Sequence, residues 1–106
     1  MNNDEYVVFL KSVLIKMENA LNLIEQKPSK HIPSYNKILG VQQKFAGIDR
    51  AYKQELFSQL IKTRSIINHF TNGRYESAHA QMLELKGDLI KIGIRKENEK
   101  DIVKKV

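Results

Sequence analysis

The sequence predicts an all-α fold, an antiparallel four-helix bundle followed by a charged C-terminal tail. Three observations lead there. Apolar residues recur in steps of three and four along four separate segments, no segment alternates with the period of a strand, and the connections are short. Each stripe is one-sided and has to be buried against another helix, so antiparallel packing of neighbours is the economical solution. The bundle is expected over residues 1–94 and the basic polar tail over 95–106.

The first helix carries Val7, Leu10, Leu14, Met17, Leu21 and Ile24 on a heptad seam, broadened by Val13 and Ala20. Asn3 is its expected N-cap, with Asp4 and Glu5 in the first turn, where the helix dipole favours acids. Its end is expected near Gln26, because Lys27 precedes Pro28 and a residue before proline avoids the helical region. Residues 27–34, with two prolines five apart, form a loop. Ser34 is the expected cap of a second helix over 35–46, which presents Ile38, Val41, Phe45 and Leu39. Gly40 within it costs roughly 1 kcal/mol relative to Ala.

Gly47 is a stop and Asp49 a new cap. The third helix, over 50–70, shows Tyr52, Leu56, Leu60, Ile67 and Phe70, widened by Phe57, Ile61 and Ile66. Asn72-Gly73 is a turn signal, since both residues tolerate positive φ. The fourth helix places Tyr75, Ala78, Met82, Leu85, Leu89 and Ile92 on a second heptad seam, with Gly93 as the expected terminating residue. Residues 94–106 hold five basic and three acidic side chains around sparse apolar anchors, enough for no more than a short, fraying helix.

Composition narrows the function classes. The chain has 106 residues and a net charge of +6, with no Cys, which excludes disulfides, thiolate zinc sites and iron–sulfur clusters. The longest apolar runs, residues 6–10 and 13–15, are far too short for a membrane span. The opening Met1-Asn2-Asn3-Asp4-Glu5 is acidic where a signal peptide is basic, so a cytoplasmic setting, including the inner face of the membrane, is expected. Residues 1–26 hold two basic and four acidic side chains. The remainder, with sixteen basic and eight acidic, carries +8 and attracts nucleic acid, anionic headgroups or an acidic protein face.

Catalytic signals are sparse. There is no Gly-rich phosphate loop, HExxH or GxSxG motif. His31, His69 and His79 lack the i, i+4 spacing of a helical metal pair, and no metal, cofactor or small-molecule substrate is implied. Arg64-Ser-Ile-Ile-Asn-His69 has the arginine–four residues–histidine skeleton seen in HEPN-type ribonucleases. In such a pair arginine stabilises a phosphorane and histidine moves a proton. The residue after the arginine is Ser65 rather than the usual Asn, and Thr71 stands where that motif has tyrosine. Aromatic and basic residues adjoin at Lys44-Phe45, Tyr52-Lys53 and Arg74-Tyr75, but these aromatics lie on the apolar stripes and are expected in the core rather than against bases.

The order of features is more specific than the bundle. After the first helix and the proline loop comes Tyr35-Asn-Lys-Ile38-Leu39, then two further helices, the last ending in Leu89-Ile90-Lys91-Ile92-Gly93 before a charged tail. Over roughly residues 10–96 this resembles the immunity proteins of pediocin-like (class IIa) bacteriocins, particularly the enterocin A immunity type. The first helix is longer than that pattern, and the C-terminus lacks its aromatic residues. The resemblance implies a non-enzymatic cytosolic bundle that protects its cell from a secreted pore-forming peptide. It does so by engaging the peptide on its membrane receptor, a mannose phosphotransferase permease, from the cytoplasmic side. It also implies that recognition lies in the C-terminal half. The basic residues there, Arg74, Lys86, Lys91, Arg95, Lys96, Lys100, Lys104 and Lys105, are the expected partner contacts, with the anionic inner leaflet as a second partner for the tail. A basic helical adaptor for another protein or for nucleic acid is the alternative within the binding class.

Overall fold

The computed structural model describes the backbone of residues 1–105 and the side chains of residues 1–99. Among the described residues five helices follow one another: α1 (Asn3–Glu25), α2 (His31–Ala46), α3 (Arg50–Glu55), α4 (Phe57–Thr71) and α5 (Tyr75–Lys105). No strand occurs among the described residues. α1 packs against α2 and α5, and α4 packs against the same two helices from the other side, so the four long helices form a closed ring around one core. The body measures 51 × 25 × 17 Å.

α1 buries the expected seam, with Tyr6 added at its start and Leu14 only half-buried. Its cap is Asn2 rather than Asn3: the Glu5 amide donates to Asn2 Oδ1 at 2.8 Å. Asn3 is drawn instead toward α5, where its amide nitrogen donates to the Lys96 carbonyl at 3.4 Å. The helix stops at Glu25, as the Lys27-Pro28 pair requires.

α2 begins four residues earlier than expected. Pro33 falls in its first turn, where a missing N–H costs nothing because that amide has no helical partner. Ser34 therefore lies inside the helix, not at its cap. It is fully buried, and its hydroxyl donates to the Ala20 carbonyl at 2.8 Å, tying α2 to α1.

The expected third helix is broken at Leu56, whose φ of −97° and ψ of 15° close α3 and open α4. Leu56 itself is buried, while the bend lets Tyr52 and Glu55 on α3 reach α1 and α5. α4 is also rotated from the expected stripe. Gln59 and Thr63 turn inward with Ile66 and Phe70, whereas Phe57 is 59% and Ile61 44% exposed. Polar bonds accommodate that rotation: Thr63 Oγ1 donates to the Gln59 carbonyl at 2.8 Å, and Gln59 and Lys62 both donate to Asp88 Oδ2 on α5.

The turn at Asn72-Gly73 forms as expected, with Gly73 at φ +71°. Gly93 does not end the last helix. α5 runs on to Lys105, because Ile92 remains in the core and ion pairs of Lys96 with Glu55 and of Glu97 with Lys11 hold the next turn against α3 and α1. The segment expected as a polar tail thus begins as a continuation of the bundle.

Candidate functional site

Among the described residues, the basic side chains of the C-terminal half do not all converge on one surface. Lys86 and Lys91 lie five residues apart on α5, which separates them by about 140° around the helix. Arg74, at the entry to α5, donates from Nε to His69 Nδ1 at 2.9 Å. The side chains of Lys100, Lys104 and Lys105 lie outside the described residues.

Arg95 and Lys96 are brought together, by Glu55. That carboxylate receives Lys96 Nζ at 2.8 Å and Arg95 at 3.4 Å, and Lys96 also meets Glu99 at 3.3 Å. Lys96 is thereby drawn inward, its side chain only 14% exposed, and its ammonium lies 5.6 Å over the ring of Tyr6. The hydrogen bond that it donates to Glu55 raises the Lys96 pKa, against the opposing effect of burial. Lys96 therefore serves as an internal strut among α1, α3 and α5.

Beneath it, the ring of Tyr6 stacks on Tyr52 with centroids 4.1 Å apart. The Tyr52 hydroxyl donates to the Met1 carbonyl at 3.3 Å, and the Met1 amino group pairs with Asp49 at 2.6 Å. The Tyr6 hydroxyl is buried without a hydrogen-bond partner among the described residues. Burial, with Glu55 adding repulsion, pushes its pKa well above the ordinary phenol value. The short α3, none of whose residues is fully buried, is thus held to the body by one aromatic stack and a set of ion pairs.

At the other end of the molecule, His31, Ile32, Tyr35, Phe70, Thr71 and Tyr75 surround a hollow of about 100 Å³. His31 lies flat on Tyr75 at 3.8 Å, and Phe70 is tilted against Tyr35 and Tyr75 at 5.7 and 6.1 Å. The sequence offered the hint that Tyr35 and Tyr75 each open a predicted helix, but the assignment of His31 to a loop hid the cluster.

Arg64 and His69 are also about 140° apart around α4, with Arg64 exposed and His69 engaged by Arg74. Among the described residues no group of three or more His, Asp or Glu side chains is placed to hold a metal ion. His79 pairs with Glu25 at 2.9 Å, linking α5 to α1. No described helix is long and apolar enough to cross a membrane. No family model, curated protein or solved structure matches the chain.

Proposed function

We propose that the chain is a non-enzymatic binding module of the class IIa bacteriocin immunity type. On this reading its four long helices form an antiparallel bundle, and it acts in the cytoplasm on the complex of a pore-forming peptide with its mannose phosphotransferase receptor. The observation that carries the reading is the closed packing of α1, α2, α4 and α5, in the helix order on which the sequence resemblance rests. The extended α5 supports it as well. With Lys96 anchored on Glu55, the backbone that bears Lys100, Lys104 and Lys105 is a direct extension of the bundle, not a detached tail.

In this role the module needs no reacting group. Its work is to present a rigid helical surface and positive charge to a membrane-embedded partner, and electrostatic steering speeds such an encounter. The test is to produce the chain inside a strain sensitive to pediocin-like peptides and to challenge it with a panel of them. Survival against one or a few peptides is expected, with no protection when the purified chain is added outside the cells. Sensitivity to every peptide of a broad panel would leave the basic helical adaptor in its place.

A further inference from the structure

The outward side of α4 combines two features that the fold does not require. Phe57 and Ile61, one turn apart, are both exposed, and Arg64, three residues on, continues the same stripe. A Phe and an Ile one turn apart on the side turned away from the core make a small apolar patch that is open to a partner. The second feature is charge. Residues 56–75 contain no Asp or Glu, but do contain Arg64 and Arg74, beside Lys62, whose ammonium is paired with Asp88 and Glu84 of α5. The two carboxylates just before this stretch are already occupied, Asp49 by the Met1 amino group and Glu55 by Arg95 and Lys96. Arg64, like Arg50 on α3, is exposed and has no partner among the described residues. Lys53 gives its ammonium to a carbonyl, that of Ala46, which leaves its charge uncompensated.

We infer that this face, built on Phe57, Ile61 and Arg64, with Arg50 and Lys53 on the preceding α3, binds an anionic lipid surface. Complementary charge favours an anionic partner over a neutral or basic one. The apolar pair stands on a convex helix side, which suits a deformable interface into which side chains sink and which demands no matching pocket. Headgroup attraction by the arginines and lysine would bring the face down, and Phe57 and Ile61 would enter the boundary between headgroups and acyl chains. The contact differs in place from the basic C-terminal segment, and it does not depend on the immunity reading: it requires neither the peptide nor its receptor.

The test is sedimentation of the full chain with vesicles of phosphatidylglycerol and phosphatidylcholine in equal parts, and with vesicles of phosphatidylcholine alone. Binding to the mixed vesicles, weakened by added salt, is expected, with little or none to the neutral ones. The Phe57→Ser/Ile61→Ser variant should bind at least about tenfold more weakly, as befits the loss of two partly inserted apolar side chains. Because both residues are exposed, its helical circular dichroism and melting should match the parent. The Ile90→Ser/Ile94→Ser variant, which removes an exposed apolar pair from α5, should bind as the parent does. Equal loss in the two variants, or undiminished binding by Phe57→Ser/Ile61→Ser, would overturn the proposal. So would failure of the parent to bind anionic vesicles, which would leave an acidic protein as the partner of this face.

Discussion

Replacing Tyr6 by Phe should make the protein more stable, although it deletes the only polar atom of a fully buried side chain. The ring is wholly enclosed, stacks on Tyr52 at 4.1 Å and lies 5.6 Å from the Lys96 ammonium, and all of this survives the substitution. What is lost is a hydroxyl with no hydrogen-bond partner among the described residues. Leaving such a group buried costs about 1–3 kcal/mol, so Tyr6→Phe should gain about that amount. For a domain of this size each kcal/mol corresponds to roughly 4–8 °C in Tm.

The same substitution should change the alkaline limb of the stability profile. Burial raises the Tyr6 pKa, so above the ordinary phenol range the unfolded chain releases this proton while the native protein keeps it. Stability therefore falls as pH rises there. Lys96 acts in the same direction: its native pKa is raised, and its contribution is complete below the unfolded lysine value and lost as pH climbs through the native one. Tyr6→Phe should remove the first of these losses and leave the second. Urea unfolding at neutral pH and across the alkaline range measures both effects. A destabilisation of about 1 kcal/mol or more at neutral pH, with an unchanged alkaline slope, would refute the reasoning, since the hydroxyl would then be making a bond worth keeping.

Two further expectations follow from the packing. Leu85, fully enclosed where α5 faces the core, should cost about 2–5 kcal/mol when cut back to Ala, read by urea unfolding; a near-zero change would mean that the α5 stripe is not the buried one. Gly40→Ala should stabilise α2 by up to about 1 kcal/mol, because the added methyl would meet only the Lys16 side chain, 3.6 Å away and free to adjust; a lower Tm would show that the α1–α2 approach is tighter than these distances.

Much of the fold was legible because apolar spacing of three and four is a local property. The seam from Val7 to Ile24 reappears in the core apart from the half-buried Leu14, and that from Tyr75 to Ile92 does so apart from Tyr75, which is 39% exposed and lies against His31 and Phe70 instead. The errors arose where distant residues decide. Ser34 is as good a cap as any serine until the Ala20 carbonyl, fourteen residues back, accepts its hydroxyl. The expected stripe of this helix left out Gln59 and Thr63, yet Asp88 on α5 and the Gln59 carbonyl satisfy them inside. Their burial turns Phe57 and Ile61 to the surface.

Among the expected partner residues, Lys96 carried a readable signal. It continues the seam of Leu85, Leu89 and Ile92 by one more step of four, a position that faces inward. Its carboxylate, Glu55, is forty-one residues away, and no spacing rule links the two. The aromatic hollow likewise joins residues of α2, α4 and α5, which only the closed ring of helices brings together.

The proposed role is tested most directly by survival. Cells of a strain killed by pediocin-like peptides, producing the chain from a plasmid, are exposed to graded doses of each peptide, beside cells carrying the empty plasmid. A raised lethal dose for one or a few of these peptides, with unchanged sensitivity to pore-forming peptides of other classes, is the expected result. Identical killing curves for both strains against every peptide, with the chain present at high level and folded, would contradict the account.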